Sequence, residues 1–208
     1  MKIIFKLSFL FYRLGETILK FPERLWFILK HPANLIPQRK YYYEDTSSFQ
    51  KYIWWSIELP FLLFDLIGIF DLYEGIVDLI KINTRKLTQE EIKIGKSVFG
   101  NSINWERVRI DLSSHLGPKQ HQFVYVSFYT INSYGPFNMA TFIHELMHIW
   151  QYEKVGAVYI PRALFAQQTI AGYDYGGLEG LEKAKSSNGN IWSFNYEQQA
   201  DIVADYFR

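Results

Sequence analysis

Two histidines and a glutamate interrupt the apolar run FIHELMHIW, residues 142–150. His144 and His148 are four residues apart, a little more than one turn of an α-helix, so both imidazoles project from the same side of the helix. Two imidazoles at this spacing can bind one metal ion, and Glu145 lies next to them. The spacing therefore predicts a metal centre at which Glu145 is the general base toward water.

The alternative is a core helix whose histidines are hydrogen-bonded to their neighbours. The remaining residues of the run are apolar, and we expect the helix to be buried all round. Burying two imidazoles beside a carboxylate is costly unless each group has a partner, and one metal ion would satisfy all three. The chain has no cysteine, so the metal ligands must be histidine, carboxylate or water. Zinc, one ion per chain, is the metal that this motif predicts.

A catalytic zinc site usually has three protein ligands, so a third ligand is expected downstream. Asn195 followed by Gln198 predicts a helix N-terminus, which places Glu197 and Asp201 four residues apart on one helix face. We expect Glu197 to bind the metal and Asp201 to accept a hydrogen bond from a liganding imidazole. The alternative is that these acids form a solvated face of the helix. Asp205 supports this alternative, because it lies four residues after Asp201 and continues the row of acids.

Peptide hydrolysis also requires a hydrogen-bond donor for the developing oxyanion. The candidates in loop-like stretches are Tyr173, Tyr175, His115 and His121. We favour Tyr173 and Tyr175 as catalytic residues because the glycines of GYDYGG would allow their backbone to move. With 15 tyrosines in the chain, a structural role is the alternative for each of them.

Local signals predict the two helices on either side of a small sheet. Asn138 and Gly156 are expected to start and end the helix that carries His144, with Gly156 in a left-handed conformation. Thr88 and Glu91 form a capping box, which predicts a helix over 89–99.

Period-two alternation predicts a strand over 106–112, and β-branched and aromatic residues predict a second strand over 123–130. The expected fold class is α+β, with the metal-binding helix packed on the sheet and the Glu197 helix closing the cleft.

The chain divides by composition into a helical, aromatic-rich N-terminal region, residues 1–86, and a domain of residues 87–208. Residues 1–43 carry eight basic and two acidic side chains, and residues 44–80 carry seven acidic side chains and one lysine, so the two blocks can pair. Residues 44–80 are expected to form one or two amphipathic helices with acidic faces.

The first helix carries a basic stripe beside apolar residues, which is typical of a helix on an anionic membrane surface. A helix packed under the rest of the protein is the alternative, so a membrane surface or a partner protein is the expected contact of residues 1–86. Lys6 and Arg13 interrupt the apolar start and no cleavage site follows, so we expect a retained segment and a cytoplasmic or peripheral membrane location, or export by a dedicated secretion system. Glu58, Pro60 and Asp65 argue against a simple transmembrane helix over 52–70. The net charge of +1 gives no electrostatic basis for binding nucleic acid.

The segments HELMH and EQQAD together resemble the gluzincin metallopeptidases, which pair a His-Glu-x-x-His helix with a later Glu-x-x-x-Asp helix. The resemblance covers roughly residues 87–207 and extends to the metallopeptidase-like domains found beside Vgr and Rhs components of bacterial secretion and polymorphic-toxin systems. It implies that His144, His148 and Glu197 are zinc ligands, that Glu145 is the general base and that Asp201 supports a ligand.

The resemblance implies a zinc-dependent hydrolase acting on a peptide or protein substrate. It specifies no substrate and does not extend to residues 1–86. The alternative is a catalytically inactive adaptor or cargo domain in which zinc is structural.

Overall fold

The computed structural model describes residues 2–35, 47–81, 83–115, 118–121 and 123–208 as a mainly helical α+β structure. The side chains of residues 2–14 lie outside this description, and most of the predicted basic stripe lies outside it with them. The described helices are α1 (Lys2–Lys30), α2 (Ser48–Leu66), α3 (Ile69–Ile80), α4 (Gln89–Phe99), α5 (Pro118–His121), α6 (Met139–Val155), α7 (Tyr159–Gln167), α8 (Gly177–Ser186) and α9 (Tyr196–Phe207). Short 3-10 helices occupy His31–Leu35, Gly156–Val158 and Ile191–Ser193.

Four short strands form one mixed sheet in the order β1-β2-β4-β3. They are β1 (Thr84–Lys86), β2 (Arg109–Asp111), β3 (Tyr125–Ser127) and β4 (Thr130–Asn132). β2 runs antiparallel to β1 and parallel to β4, and β3 pairs antiparallel with β4. The strand predicted at 106–112 is confirmed but shorter, whereas the single strand predicted over 123–130 is wrong because the chain reverses direction within it.

The reversal is a two-residue turn that Phe128 enters with a positive φ of 55°. This conformation is uncommon for a bulky residue, so neighbouring groups must hold it. The Phe128 ring packs against Phe70 and Tyr152, and its amide donates to the Tyr159 hydroxyl at 3.2 Å. The next amide donates to Glu74 Oε1 at 2.9 Å. Tertiary contacts thus stabilise a turn that local sequence does not indicate.

Helix α6 passes through the core, in contact with β3 and α9. Its apolar residues Ile143, Leu146 and Ile149 are fully buried, as predicted for a helix enclosed on all sides. Asn138 Oδ1 accepts the Thr141 amide at 2.8 Å, which confirms the N-cap. Gly156 ends the helix with φ 73° and ψ −162°, so the positive φ is confirmed, although ψ lies outside the left-handed helical region.

The capping box that starts α4 is also confirmed. Thr88 Oγ1 accepts the Glu91 amide at 3.1 Å, and Glu91 Oε2 accepts the Thr88 amide at 2.7 Å. Glu91 in addition forms a bidentate ion pair with Arg85. The helix therefore begins at the predicted position, and the backbone N–H groups of Thr88 and Glu91, which have no partner within the helix, are both hydrogen-bonded.

Helices α2 and α3 face the rest of the protein with their acidic side chains. Glu58 forms a bidentate ion pair with Arg162, and Asp65 accepts the Ala157 amide at 3.2 Å. Asp65 also pairs with Arg24, which confirms the predicted pairing of the basic and acidic blocks. The predicted acidic faces exist, but they are buried.

β1, from the last residues of the predicted N-terminal region, joins the sheet of the following domain. The domain boundary near residue 86 stays a prediction. Among the described residues, no single helix is long and apolar enough to cross a membrane.

Candidate metal centre

Helices α6 and α9 bring three predicted ligands together. His144 Nε2 lies 3.4 Å and His148 Nε2 lies 3.5 Å from the same oxygen, Glu197 Oε2. One ligand atom from each residue lies within 4.8 Å of the other two. The side chain of Glu197 is 1% exposed and that of His144 is 15% exposed, so the cluster is reached by solvent mainly from the His144 side.

The Nδ1 atoms of both histidines are turned away from the cluster and have hydrogen-bond acceptors. His144 Nδ1 lies 2.9 Å from Asp201 Oδ1, and an ionised carboxylate can only accept, so Nδ1 carries the proton. His148 Nδ1 lies 2.8 Å from Gln151 Oε1. Both Nε2 atoms therefore face Glu197, which is the orientation that metal-binding imidazoles require.

Gln151 is oriented by a short chain of amides. Its Nε2 donates to the Tyr196 carbonyl at 2.9 Å and to Gln199 Oε1 at 3.0 Å. Because a carbonyl oxygen can only accept, Nε2 must face Tyr196, and Oε1 must then face His148. Gln151 thus joins α6 to α9 and at the same time fixes the tautomer of His148.

Glu197 is held by one oxygen and presents the other to the histidines. Gln167, at the end of α7, donates to Glu197 Oε1 at 2.8 Å. Glu197 Oε2 is buried and makes no hydrogen bond to any residue that the structure describes. A buried acceptor without a hydrogen bond costs about 1–3 kcal/mol, which a bound cation would offset.

Glu145 is also buried, with 4% of its surface exposed. Its Oε2 makes no hydrogen bond within the described part of the chain. Burial raises the pKa of Glu145, and the positive charges of His148 and His144 only partly oppose this shift. A carboxylate with a raised pKa is a better proton acceptor at neutral pH, as a general base requires.

The pKa values within the cluster show how strongly its groups interact before a metal binds. Burial by itself would lower the pKa of His144, but the neighbouring carboxylates of Asp201, Glu197 and Glu145 outweigh it and raise the pKa to about 10. Burial would likewise raise the pKa of Glu197, yet His148 and His144 lower it.

Tyr173 lies beside the cluster, with its ring centroid 6.1 Å from that of His144. Burial, followed by the charges of Glu197 and Asp201, raises the pKa of the Tyr173 hydroxyl, so it remains a proton donor at neutral pH. It lies on the same solvent-facing side as His144 and is 44% exposed. Its position is consistent with the predicted role of oxyanion donor.

The other predicted donors make contacts elsewhere. The Tyr175 hydroxyl donates to Asp205 Oδ2 at 2.8 Å, at the far end of α9. The His115 ring packs against Tyr134, and the His121 ring against Phe123. Asp205 additionally pairs with Arg208. Of the two acidic residues on this side of α9, Asp201 therefore contacts the cluster and Asp205 does not.

The arrangement fits a zinc ion. Ligand atoms at about 2.1 Å from a tetrahedral zinc are about 3.4 Å apart, and the two N–O separations measured here are 3.4 Å and 3.5 Å. Two neutral imidazoles and one carboxylate are a ligand set that catalytic zinc sites use. The supporting contacts of both imidazoles are in place as well.

Sequence reasoning missed Gln151 and Gln167, which hold a ligand each. Gln151 is three residues after His148 on the same helix, so the i, i+3 spacing of HIWQ was an available signal. Gln167 lies on a different helix, 30 residues before Glu197, and no local pattern relates the two.

Comparison with known proteins gives one informative similarity. The chain is similar to the type VI secretion system spike protein VgrG2b of Pseudomonas aeruginosa, with 29% identity over 136 residues. The aligned region covers 59% of this chain and 13% of VgrG2b, so the chain spans a small part of that protein's length. The chain matches no protein-family model and no solved structure. The similarity links the chain to a bacterial secretion-system protein and leaves the chemistry to be argued from the site.

Proposed function

We propose that the protein is a zinc-dependent peptide hydrolase of the gluzincin type, associated with a bacterial secretion system. The observation that carries this proposal is the convergence of two imidazole nitrogens on one unbonded, buried carboxylate oxygen, at separations that suit tetrahedral zinc. His144, His148 and Glu197 would hold the ion. When bound, zinc would act as a Lewis acid toward a carbonyl oxygen and would lower the pKa of water.

The residues of the chain have distinct tasks in this proposal. Glu145, buried next to the histidines and raised in pKa, takes the proton from the attacking water and delivers it to the leaving amine. The Tyr173 hydroxyl, protonated at neutral pH, donates to the oxyanion. Asp201 and Gln151 keep both imidazoles in the tautomer that directs Nε2 into the cluster.

The strand β3 is the proposed peptide-binding edge, by analogy with zincins. It lies at the edge of the sheet and contacts α6. The Tyr159 hydroxyl already donates to the Val126 carbonyl at 3.0 Å, which occupies the backbone acceptor in the middle of β3. A peptide would therefore add to the sheet toward Tyr125 rather than toward the Phe128 turn.

The metal assignment is tested by the zinc content of the purified full chain beside Glu197→Ala, His148→Ala and the matched control Asp205→Ala. We expect one equivalent of zinc in the wild type and in the control, and loss of zinc in the two ligand variants. A wild-type chain that takes up no zinc at neutral pH would leave HELMH as a core helix with hydrogen-bonded histidines.

Catalysis is tested separately with Glu145→Gln, which keeps the size of the side chain but removes its basicity. We expect zinc to remain bound and cleavage of a peptide library to fall by roughly 10²–10⁴-fold, as is usual for loss of a general base. Zinc binding without turnover by the wild type would instead support an adaptor or cargo domain with a structural zinc. Activity that survives Glu145→Gln would contradict the mechanism.

The secretion-system association rests on the similarity to VgrG2b, a spike protein of the type VI secretion system. We propose that the chain is a cargo or effector domain of such a system, with a peptide or protein as its substrate. An epitope-tagged full chain should appear in the culture medium of a type VI secretion-competent strain and remain in the cells of a strain lacking the secretion apparatus. Equal export by both strains would contradict the proposal.

A further inference from the structure

Helices α2 and α3 expose an outer face without charge. Each residue between 52 and 77 that is exposed is apolar or tyrosine, and the ten larger side chains of the set keep between 37% and 67% of their surface in contact with solvent. We call this set the apolar face; its members are Tyr52, Ile53, Ile57, Pro60, Leu63, Phe64, Ile67, Ile69, Leu72, Tyr73 and Ile76. The spacing of these residues follows the period of a helix, so they form one stripe along each helix.

The acids of the same segment lie on the opposite, inner side. Glu58, Asp65, Asp71 and Glu74 are each 2–5% exposed. Asp71, for example, pairs with Arg24 at 2.7 Å. Polar groups are therefore buried and neutralised inside, while apolar groups face outward, which inverts the usual arrangement of a helix on a soluble domain.

An exposed apolar stripe that runs along two helices is a contiguous apolar patch, and the largest such patches of soluble monomers, about 300–600 Å², are often functional. The helices also suit a lipid environment. By length and composition alone, Phe49–Leu66 and Ile69–Val77 together could form a membrane segment, but a bend of 72° separates them. A bent pair whose charges all lie on one side fits insertion into one leaflet rather than a straight crossing.

The margins of the face favour lipid over a protein partner. A protein interface usually has a polar, charged rim around its apolar core, whereas no exposed residue between 52 and 77 is charged. Basic residues lie beside the apolar face. Lys51 directly precedes Tyr52, the first residue of the face. In α1, the Lys30 ammonium lies 4.4 Å from the ring centroid of the exposed Trp26. Residues 1–43 carry eight basic side chains; Arg24 is buried against Asp65 and Asp71, whereas exposed ones such as Lys30 would attract anionic headgroups.

We propose that α2 and α3 dock into the surface of an anionic lipid bilayer through the apolar face, with the α1 region contacting the headgroups. The docking is independent of the zinc chemistry, because none of the three proposed zinc ligands belongs to α2 or α3, and the side of α2 opposite the face contacts Arg162 and Ala157. The protein would in this way be held at a membrane with its catalytic domain still folded beside it.

The test is co-sedimentation of the full chain with vesicles of phosphatidylglycerol and phosphatidylethanolamine, compared with phosphatidylcholine vesicles. Ile67→Asp and Leu72→Asp introduce a charge at exposed positions of the face, so neither requires a change in the core. The matched controls are Ile170→Asp and Leu178→Asp, at positions 96% and 80% exposed outside the face. Far-UV circular dichroism and thermal unfolding of each variant report whether the fold is intact.

We expect binding to the anionic vesicles, at least tenfold weaker binding of each face variant, and wild-type binding of both controls. Absence of sedimentation with anionic vesicles, or equal effects of face and control variants, would overturn the proposal. Equal binding to phosphatidylcholine would overturn the requirement for anionic lipid. If light scattering finds a dimer that Ile67→Asp converts to a monomer, and vesicles do not bind, the face is an interface between copies of the chain.

Discussion

Replacing Asp201 by alanine should weaken zinc binding without unfolding the protein. Asp201 Oδ1 is the acceptor for His144 Nδ1 at 2.9 Å, and its removal frees the imidazole to rotate and to change tautomer. A hydrogen bond to a charged group contributes about 1.5–3 kcal/mol when water is excluded. The side chain of Asp201 is 35% exposed, so water can replace it in part. We therefore expect a loss of about 1.4 kcal/mol, just below this range, which corresponds to a roughly tenfold weaker affinity.

The assay is a competition titration with a fluorescent zinc chelator at neutral pH, with urea unfolding of the metal-free proteins in parallel. Asp205→Ala is the matched control, because Asp205 is the next acid along the α9 stripe and bonds to Tyr175 and Arg208 instead. We expect a wild-type zinc affinity for the control and similar apo stabilities for both variants. An unchanged affinity in Asp201→Ala, or an equal loss in Asp205→Ala, would refute the assignment of Asp201 as the residue that orients His144.

Three further predictions concern the fold around the site. Gly156→Ala should lower the free energy of unfolding, measured in urea titrations, by at least about 1–3 kcal/mol. The reason is that φ of Gly156 is 73° and an added Cβ would overlap Asp65 Oδ2. An unchanged stability would mean that the end of α6 relaxes. Tyr159→Phe should lower the free energy of unfolding by about 1–3 kcal/mol, because it removes both hydrogen bonds of the Tyr159 hydroxyl to the hairpin. A loss below about 0.5 kcal/mol, the usual range for a surface substitution, would contradict this role. Glu91→Gln should cost about 1 kcal/mol at pH 7, since hydrogen bonding to Arg85 lowers the pKa of Glu91 in the folded protein. This contribution is present above the ordinary pKa of 4.5 and is lost as the pH falls, so wild type and Glu91→Gln should converge in stability at acidic pH.

The local features of the metal centre could be predicted because they depend on helix geometry alone. The spacing of His144 and His148 places both rings on one side of a helix whatever surrounds it. Capping by Asn138 and Asn195 is equally local, since each side chain reaches an amide two or three residues ahead. The sequence also predicted that Glu197 lies beside the histidines. That prediction followed from the need for a third metal ligand, because the sequence pattern does not indicate the contact between α6 and α9.

The choice among residues of one type required the tertiary structure. Tyr173 and Tyr175 lie two residues apart in GYDYGG and are equivalent in composition, yet one lies beside His144 and the other bonds to Asp205 at the end of α9. Gln167 comes to Glu197 from another helix, at a sequence distance that no periodicity covers. Contacts of this kind depend on how helices pack, which local spacing does not encode.

The sequence by itself determined where the helices begin, which side of α6 bears the imidazoles and which residues have the chemistry to bind a metal. Only the tertiary structure decided that residues 123–132 form a hairpin, because contacts of Phe128 with Phe70 and Tyr159 stabilise its positive φ. It also decided the orientation of α2 and α3. Periodicity shows that a helix has an acidic and an apolar side, but buried arginines from distant segments determine that here the acidic side faces inward.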